Sequence, residues 1–275
     1  MFNFKWCVFD LDGTLLNEEK NISDEDLKSI KRLMKEDVEI FIASGRTDMF
    51  SLPHLELIGS KTPIISSNGA LVRNPLDNII IYSKFINHTS VNKFIEYVKA
   101  DDLNYLAYTL DSVYYHVTND NVLKELFRNN KAEINFINVY DPDILKNDEI
   151  LKFLIVDEHE NIPKRQKELV LMLDLYVVSS GYYLLDLMEK GVSKGYALKK
   201  LADYYKMDPE KIIVFGDNYN DMDMFTFAGT SVAMGNAVDK IKALADFVTK
   251  SNEENGISYA IENFILNNVF WVEES

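Results

Sequence analysis

Apolar and polar positions alternate along the chain in blocks, and the blocks change character twice. Residues 6–10, "WCVFD", are apolar up to a closing acid and predict a buried strand. Residues 23–37, "SDEDLKSIKRLMKED", predict a helix. Ser23 caps it, acids fill its first turn, and Leu27, Ile30, Leu33 and Met34 share one face. "VEIFIAS" (38–44) is a second strand, and "TPIISSNGALV" (62–72) holds a third with Asn68-Gly69 as a tight turn. Strands that are apolar throughout, with helices between them, predict a parallel sheet covered on both faces.

From residue 82 the texture changes. "LNYLAYTL", "SVYYHVT", "AEINFINVY", "EILKFLIVD", "LDLYVVSS" and "YYLLDLM" are rich in Tyr, Val and Ile, and several alternate as half-exposed strands do. Helical patches separate them at 90–100, 121–130 and 162–173. This predicts an α+β insert with an antiparallel sheet over 82–188. The first pattern then returns, with a helix at 193–205, a strand at 211–217, a short helix at 220–229, and strands at 230–235 and 245–250. One discontinuous α/β domain, 1–81 and 189–275, is therefore expected around an inserted domain, 82–188.

Composition narrows the partners. A formal net charge of −15 argues against nucleic acid or an anionic membrane, both of which reward clustered Lys and Arg. It leaves room for a small phosphorylated ligand, which needs only a local cationic pocket. The single cysteine, Cys7, lies in an apolar run, so no intrachain disulfide is possible and a reducing compartment is expected. The opening "MFNFKWCVFDLD" turns acidic too soon for a signal peptide, and no apolar run approaches a membrane span. A cytoplasmic location is the expectation, and the sequence sets no oligomeric state.

Chemistry gathers at four strand ends, which is where open parallel sheets bind ligands. The first is Asp10-Leu11-Asp12-Gly13-Thr14, two carboxylates one residue apart at the end of a buried strand. The second is Ser44-Gly45-Arg46, a hydroxyl and a glycine amide able to cradle an oxyanion. The third is Lys194, in the first turn of a helix, where the dipole disfavours a cation unless an anion lies nearby. The fourth is "VFGDNYND", where Asp217, Asn220 and Asp221 are spaced to face one another and suit a hard divalent cation beside a phosphate. Asp223 falls off that direction and is expected to be exposed. Met222, Met224 and Phe225 read as helix packing.

These four sites, in this order, resemble the four motifs of the haloacid dehalogenase superfamily, and the insert resembles a type C2 cap. "SGR", "NGA", "GVSKG", "GDNYND", "VAMGNA" and the tail "NEENGISYAIENFI" resemble its Cof-type subfamily. The resemblance implies a Rossmann-like core and a phosphatase acting on a small phosphorylated metabolite. It implies Asp10 as the nucleophile, Asp12 as acid and base, and Lys194 as the charge-balancing cation. Mg²⁺ would be held by Asp10, the Asp12 carbonyl and Asp217, with Asp221 in support. Ser44, Gly45 and Asn220 would bind phosphate. The acid–base role needs Asp12 to hold a proton for part of the cycle, and its nearness to Asp10 and phosphate is expected to raise its pKa. Thr14 either braces its turn or caps a helix; Arg46 either reaches the substrate or makes an ion pair; Asn68 either touches substrate or shapes its turn. Tyr114, Tyr115, Tyr182, Tyr183 and His116 are candidate cap contacts or packing residues. A phosphomutase, and a protein phosphorylated on Asp10 for signalling or binding only, are the competing functions.

Overall fold

The computed structural model describes residues 4–118, 134–181 and 183–266. The chain divides into two compact units, residues 1–82 with 193–275, and residues 83–192.

The first unit is built on an eight-stranded sheet. Its strands are β1 (Trp6–Phe9), β2 (Glu39–Ala43), β3 (Ile64–Ser66), β4 (Leu71–Arg73) and β5 (Ile80–Ser83) from the first segment. After the second unit's β6–β11 come β12 (Ile212–Gly216), β13 (Thr230–Ala233) and β14 (Phe247–Val248). Their spatial order is β14-β13-β12-β1-β2-β3-β4-β5. β1 lies between β2 and β12 and is parallel to both, as β3 is to β2 and β13 to β12. The chain thus runs outward from β1 in one direction, returns after the insert, and runs outward in the other. The carboxyl end of β1 is the switch point of the sheet, the usual ligand position of such folds.

Alternation within the strands explains why they are apolar throughout. Cys7, Phe9, Ile40, Ile42, Ile213 and Phe215 face one core, shared with Ile30 and Leu33 of the Asp24–Lys35 helix. Trp6, Val8, Phe41, Ile212 and Val214 face the other, shared with Ala197, Leu198 and Leu201 of the Lys194–Tyr205 helix. Both faces are buried, so neither can be polar. The Asp24–Lys35 helix has the cap its sequence predicts: the Ser23 hydroxyl accepts from the Asp26 amide at 3.1 Å.

The second unit carries a six-stranded sheet. Its strands are β6 (Asn104–Tyr108), β7 (Ser112–His116), β8 (Asn135–Asn138), β9 (Lys152–Val156), β10 (Leu175–Gly181) and β11 (Leu184–Glu189), in the order β10-β11-β9-β6-β7-β8. The helices His88–Asp101 and Ile162–Met172 pack on it through Phe94, Ile95, Val98 and Leu169. The sheet is antiparallel except for one correction to the expectation: β7 and β8 run parallel. A parallel neighbour needs a long crossover rather than a hairpin, and residues 117–134 supply the length. The helix expected at 121–130 lies outside the described residues, as does Tyr182.

Candidate active site

Asp10 follows Phe9 at the end of β1. Phe9 faces the first core, so alternation turns Asp10 toward the side covered by the Lys194 helix. The Asp10 side chain is almost wholly buried, and Lys194 is completely so. Lys194 donates to the Asp10 carboxylate at 2.5 Å and to Asp221 at 2.7 Å. The anion that its position in the first helical turn called for is therefore the protein's own pair of carboxylates. Burial works against the charge on Lys194, but Asp10 and Asp221 outweigh it and raise its pKa.

Asp10, Asp217 and Asp221 each offer a carboxylate oxygen within 4.8 Å of the others. Glycines make this crowding possible. Gly13 has φ 85°, and a Cβ on it would lie 2.5 Å from an Asp217 carboxylate oxygen. A Cβ on Gly216 would lie 2.7 Å from the Asp221 carboxylate. Thr14, buried, donates its hydroxyl to Asp217 at 3.0 Å and so braces that carboxylate. Asp221 is engaged on both oxygens: one takes Lys194, the other accepts from the amides of Asp217 and Asn218 at 2.9 and 3.1 Å. It orients the group from behind. Burial drives the Asp10 carboxyl well above the ordinary carboxylate range; Lys194 opposes this, and Asp221 and Asp217 add to it. Burial and Asp221 likewise lift Asp217 to about 6. Three carboxylates with one lysine leave an excess of negative charge on hard oxygen donors, which fits a divalent cation such as Mg²⁺.

Asp12 goes elsewhere. Arg46 clasps its carboxylate with two bonds of 2.7 Å, and Lys20 adds a third at 2.8 Å. Burial alone would raise this carboxyl, but Arg46 and Lys20 bring it down to about 2. The direction is opposite to the expected one, because two cations face Asp12. Of the two readings of Arg46, the ion pair holds. Lys20, eight residues from Asp12, left no signal in the sequence; a left-handed turn (φ 62°) swings it back.

The second strand end is also assembled. The Ser44 carbonyl accepts from the Asn68 amide at 3.0 Å, and its hydroxyl accepts from the Arg46 amide at 3.1 Å. A Cβ on Gly45 would come within 2.9 Å of the Asn68 side-chain oxygen. Asn220 meets a partner that its spacing did not suggest. It donates to Asn68 at 3.0 Å, because residues 219–221 form a tight 3₁₀ turn before the Met222–Phe227 helix begins. Asn68 therefore shapes its turn (φ 56°) and also joins the second and fourth strand ends. Asp223 is exposed, and Met224 and Phe225 pack in the core.

Residues 7–261 match the model of the haloacid dehalogenase-like hydrolases. The chain belongs to that family. A 5-amino-6-(5-phospho-D-ribitylamino)uracil phosphatase of Bacillus subtilis is 30% identical to this hydrolase over 94% of the chain and 96% of its own length. A putative phosphatase of Mycoplasma genitalium is 33% identical over 95% and 98%. A crystal structure of a haloacid dehalogenase-like hydrolase from Bacteroides thetaiotaomicron superposes with TM-score 0.85 at 30% identity, over 94% of this chain and 98% of that one. The hydrolase is an enzyme of the phosphatase kind, with the Rossmann-like core and inserted cap of the family. Among its described residues no helix is long and apolar enough to cross a membrane.

Proposed function

We propose that the enzyme is a Mg²⁺-dependent phosphatase that hydrolyses a small phosphorylated metabolite through an aspartyl-phosphate on Asp10. The observation that carries this reading is a carboxylate buried at the switch point of the sheet, held by a buried lysine within a group of three acids. Asp10 attacks phosphorus in line, the ester oxygen leaves, and water then cleaves the acyl phosphate. When bound, Mg²⁺ neutralises phosphoryl oxygens and aligns them with the nucleophile. Asp10, Asp217 and the Asp12 carbonyl would hold it, with Asp221 behind them. Lys194 fixes the attacking carboxylate and balances charge as the phosphoryl group moves. Ser44, the Gly45 amide and Asn220 bind phosphate oxygens, and Asn68 holds Asn220 in place.

Asp12 is the acid and base. It rests ionised between Arg46 and Lys20; when a phosphoryl group draws those cations toward itself, the carboxylate takes a proton from solvent, gives it to the leaving ester oxygen, and then takes one from the water that attacks the acyl phosphate. The insert 83–192 serves as the cap that selects the leaving group. The name of the Bacillus subtilis relative puts a phosphoribitylaminopyrimidine in the substrate class to be tried beside sugar phosphates.

The test is phosphate release from a panel of both kinds of ester with Mg²⁺, run with Asp10→Asn. Release by the parent alone, abolished by EDTA, is the expected result. Equal rates in the variant would remove Asp10 as nucleophile, and isomer formation without free phosphate would make the enzyme a mutase.

A further inference from the structure

Two asparagines outside the acidic group bind the loop that carries Asp12. Asn236 donates from Nδ2 to the Gly13 carbonyl at 2.8 Å. Its Oδ1 accepts from the Asn252 amide at 3.1 Å, and Asn252 donates from its own Nδ2 to the Leu16 carbonyl at 2.8 Å. Next to it, Glu253 accepts from the Glu18 amide at 2.6 Å. Two residues after Asn236, the Val238 amide donates to the Asp217 carbonyl at 3.0 Å. One short segment, 236–238, is thus bonded both to the loop after Asp10 and to the main chain of Asp217. A primary amide suits this, because it carries a donor and an acceptor in one plane.

Gly13 is the joint where this matters. Its carbonyl takes the Asn236 bond, while the Asp217 carboxylate occupies the space a side chain would need. Its neighbour Thr14 holds the same carboxylate. Moving Gly13 moves Asp217 relative to Asp10. Asn236 is exposed and Asn252 is half-exposed, so neither contributes a core contact. Surface amides of this kind normally bond to water; here both ends of Asn236 are committed to main-chain atoms.

We propose that Asn236 and Asn252 act side by side as positioning residues, one bonded to Gly13 and one to Leu16: they fix the 11–16 loop, and with it the spacing of Asp10 and Asp217 and the affinity of that group for a divalent cation. The cation part rests on the Mg²⁺ reading above. Neither residue is proposed to touch substrate.

The experiment uses the full chain with Asn236→Ala, Asn252→Ala and both together. Amide hydrogen exchange in metal-free protein is read first. Peptides covering residues 11–18 should exchange faster in each variant, while those covering β1 and β12 should not change. Mg²⁺ titration calorimetry is read second. Each single variant should weaken binding about three- to tenfold, the equivalent of one lost hydrogen bond. The double variant should be weaker than either single, because each amide has its own bond to the loop. In turnover, the Mg²⁺ concentration for half-maximal rate should rise while the substrate KM stays put. Unchanged exchange at 11–18 would overturn the proposal. So would a double variant no weaker than the worse single, or a lowered melting temperature with unchanged Mg²⁺ affinity. A parent that binds no Mg²⁺ would sink the metal reading instead, and the exchange data would still judge the clamp.

Discussion

Asp10 and Asp12 stand two residues apart in one motif and live in opposite surroundings. Asp10 lies in the dry interior with one lysine and two further acids, and its carboxyl is driven upward. Asp12 has a side chain 41% exposed and faces an arginine fork and a second lysine, and its carboxyl is held at about 2. The backbone makes the difference. β1 ends at Phe9, and the turn through Gly13 sends the second side chain away from the first. A single loop thus supplies one carboxylate that is fixed and desolvated, and one at the water's edge whose proton affinity is set by Arg46 and Lys20.

The largest effect is expected from removing the inner cation. Lys194→Met keeps the stem and deletes the charge, leaving crowded carboxylates uncompensated. Metal-free stability should fall by about 3–5 kcal/mol, read by chemical denaturation near neutral pH, and turnover should be lost. Stability equal to the parent's would mean that the buried pair contributes little. Next comes the pH response of the inner group. Asp217 has a folded pKa lifted from 3.8 to about 6. The fold then binds its proton more tightly than the unfolded chain does, so its stabilising contribution is complete below about 4 and is lost as pH rises through about 6. Metal-free melting temperatures should therefore decline over that window, and Asp217→Asn should flatten the decline. A rise with pH over the same range, surviving in that variant's comparison, would contradict the assignment.

The outer group should answer with smaller changes and the opposite sign. The depressed pKa of Asp12 means that its contribution is present above its ordinary value near 4 and is lost as pH falls through about 2. Arg46→Gln should cost about 1 kcal/mol at pH 7, since the pair is half exposed and screened. The gap to the parent should close as the acid end is approached. Lys20→Ala should cost only a few tenths of a kcal/mol, and added salt should erase the difference. A Lys20 effect as large as that of Arg46 would show that the two cations share the load equally.

The inner group was the more legible of the two in the sequence. Asp10 and Asp217 sit at the ends of apolar runs, Lys194 in the first turn of a helix and Asp221 four residues beyond Asp217, so the order and spacing of strand ends pointed to one site. The helix Asp48–Ile58 left no such trace. It buries Asp48 and Ser51 with Leu55 and Ile58, exposes Leu57, and contains Pro53, so its inward face is not its apolar face. The buried pair of Asp48 with Arg73, at 2.6 Å, explains the inversion, and β4 and β5 were missed with it. The bond from Asn220 to Asn68 left no trace, because the two lie 152 positions apart and a 3₁₀ turn sets the direction. The outer clasp on Asp12 depends on a left-handed backbone at Lys20, which no pattern of apolar residues encodes.

The pairing of β1 with β12 joins Cys7 to Ile213, and Lys194 reaches Asp10 across 184 positions of chain. A nascent chain still on the ribosome therefore presents β1 as an open sheet edge, apolar on both faces, through the whole synthesis of the insert. Such an edge is a template for wrong partners, and it closes only when the last strands emerge. Until then the polypeptide has Asp10 but neither Lys194 nor Asp217 and Asp221, so a truncated product left over from stalled translation would be prone to aggregate and would lack most of the buried charged group.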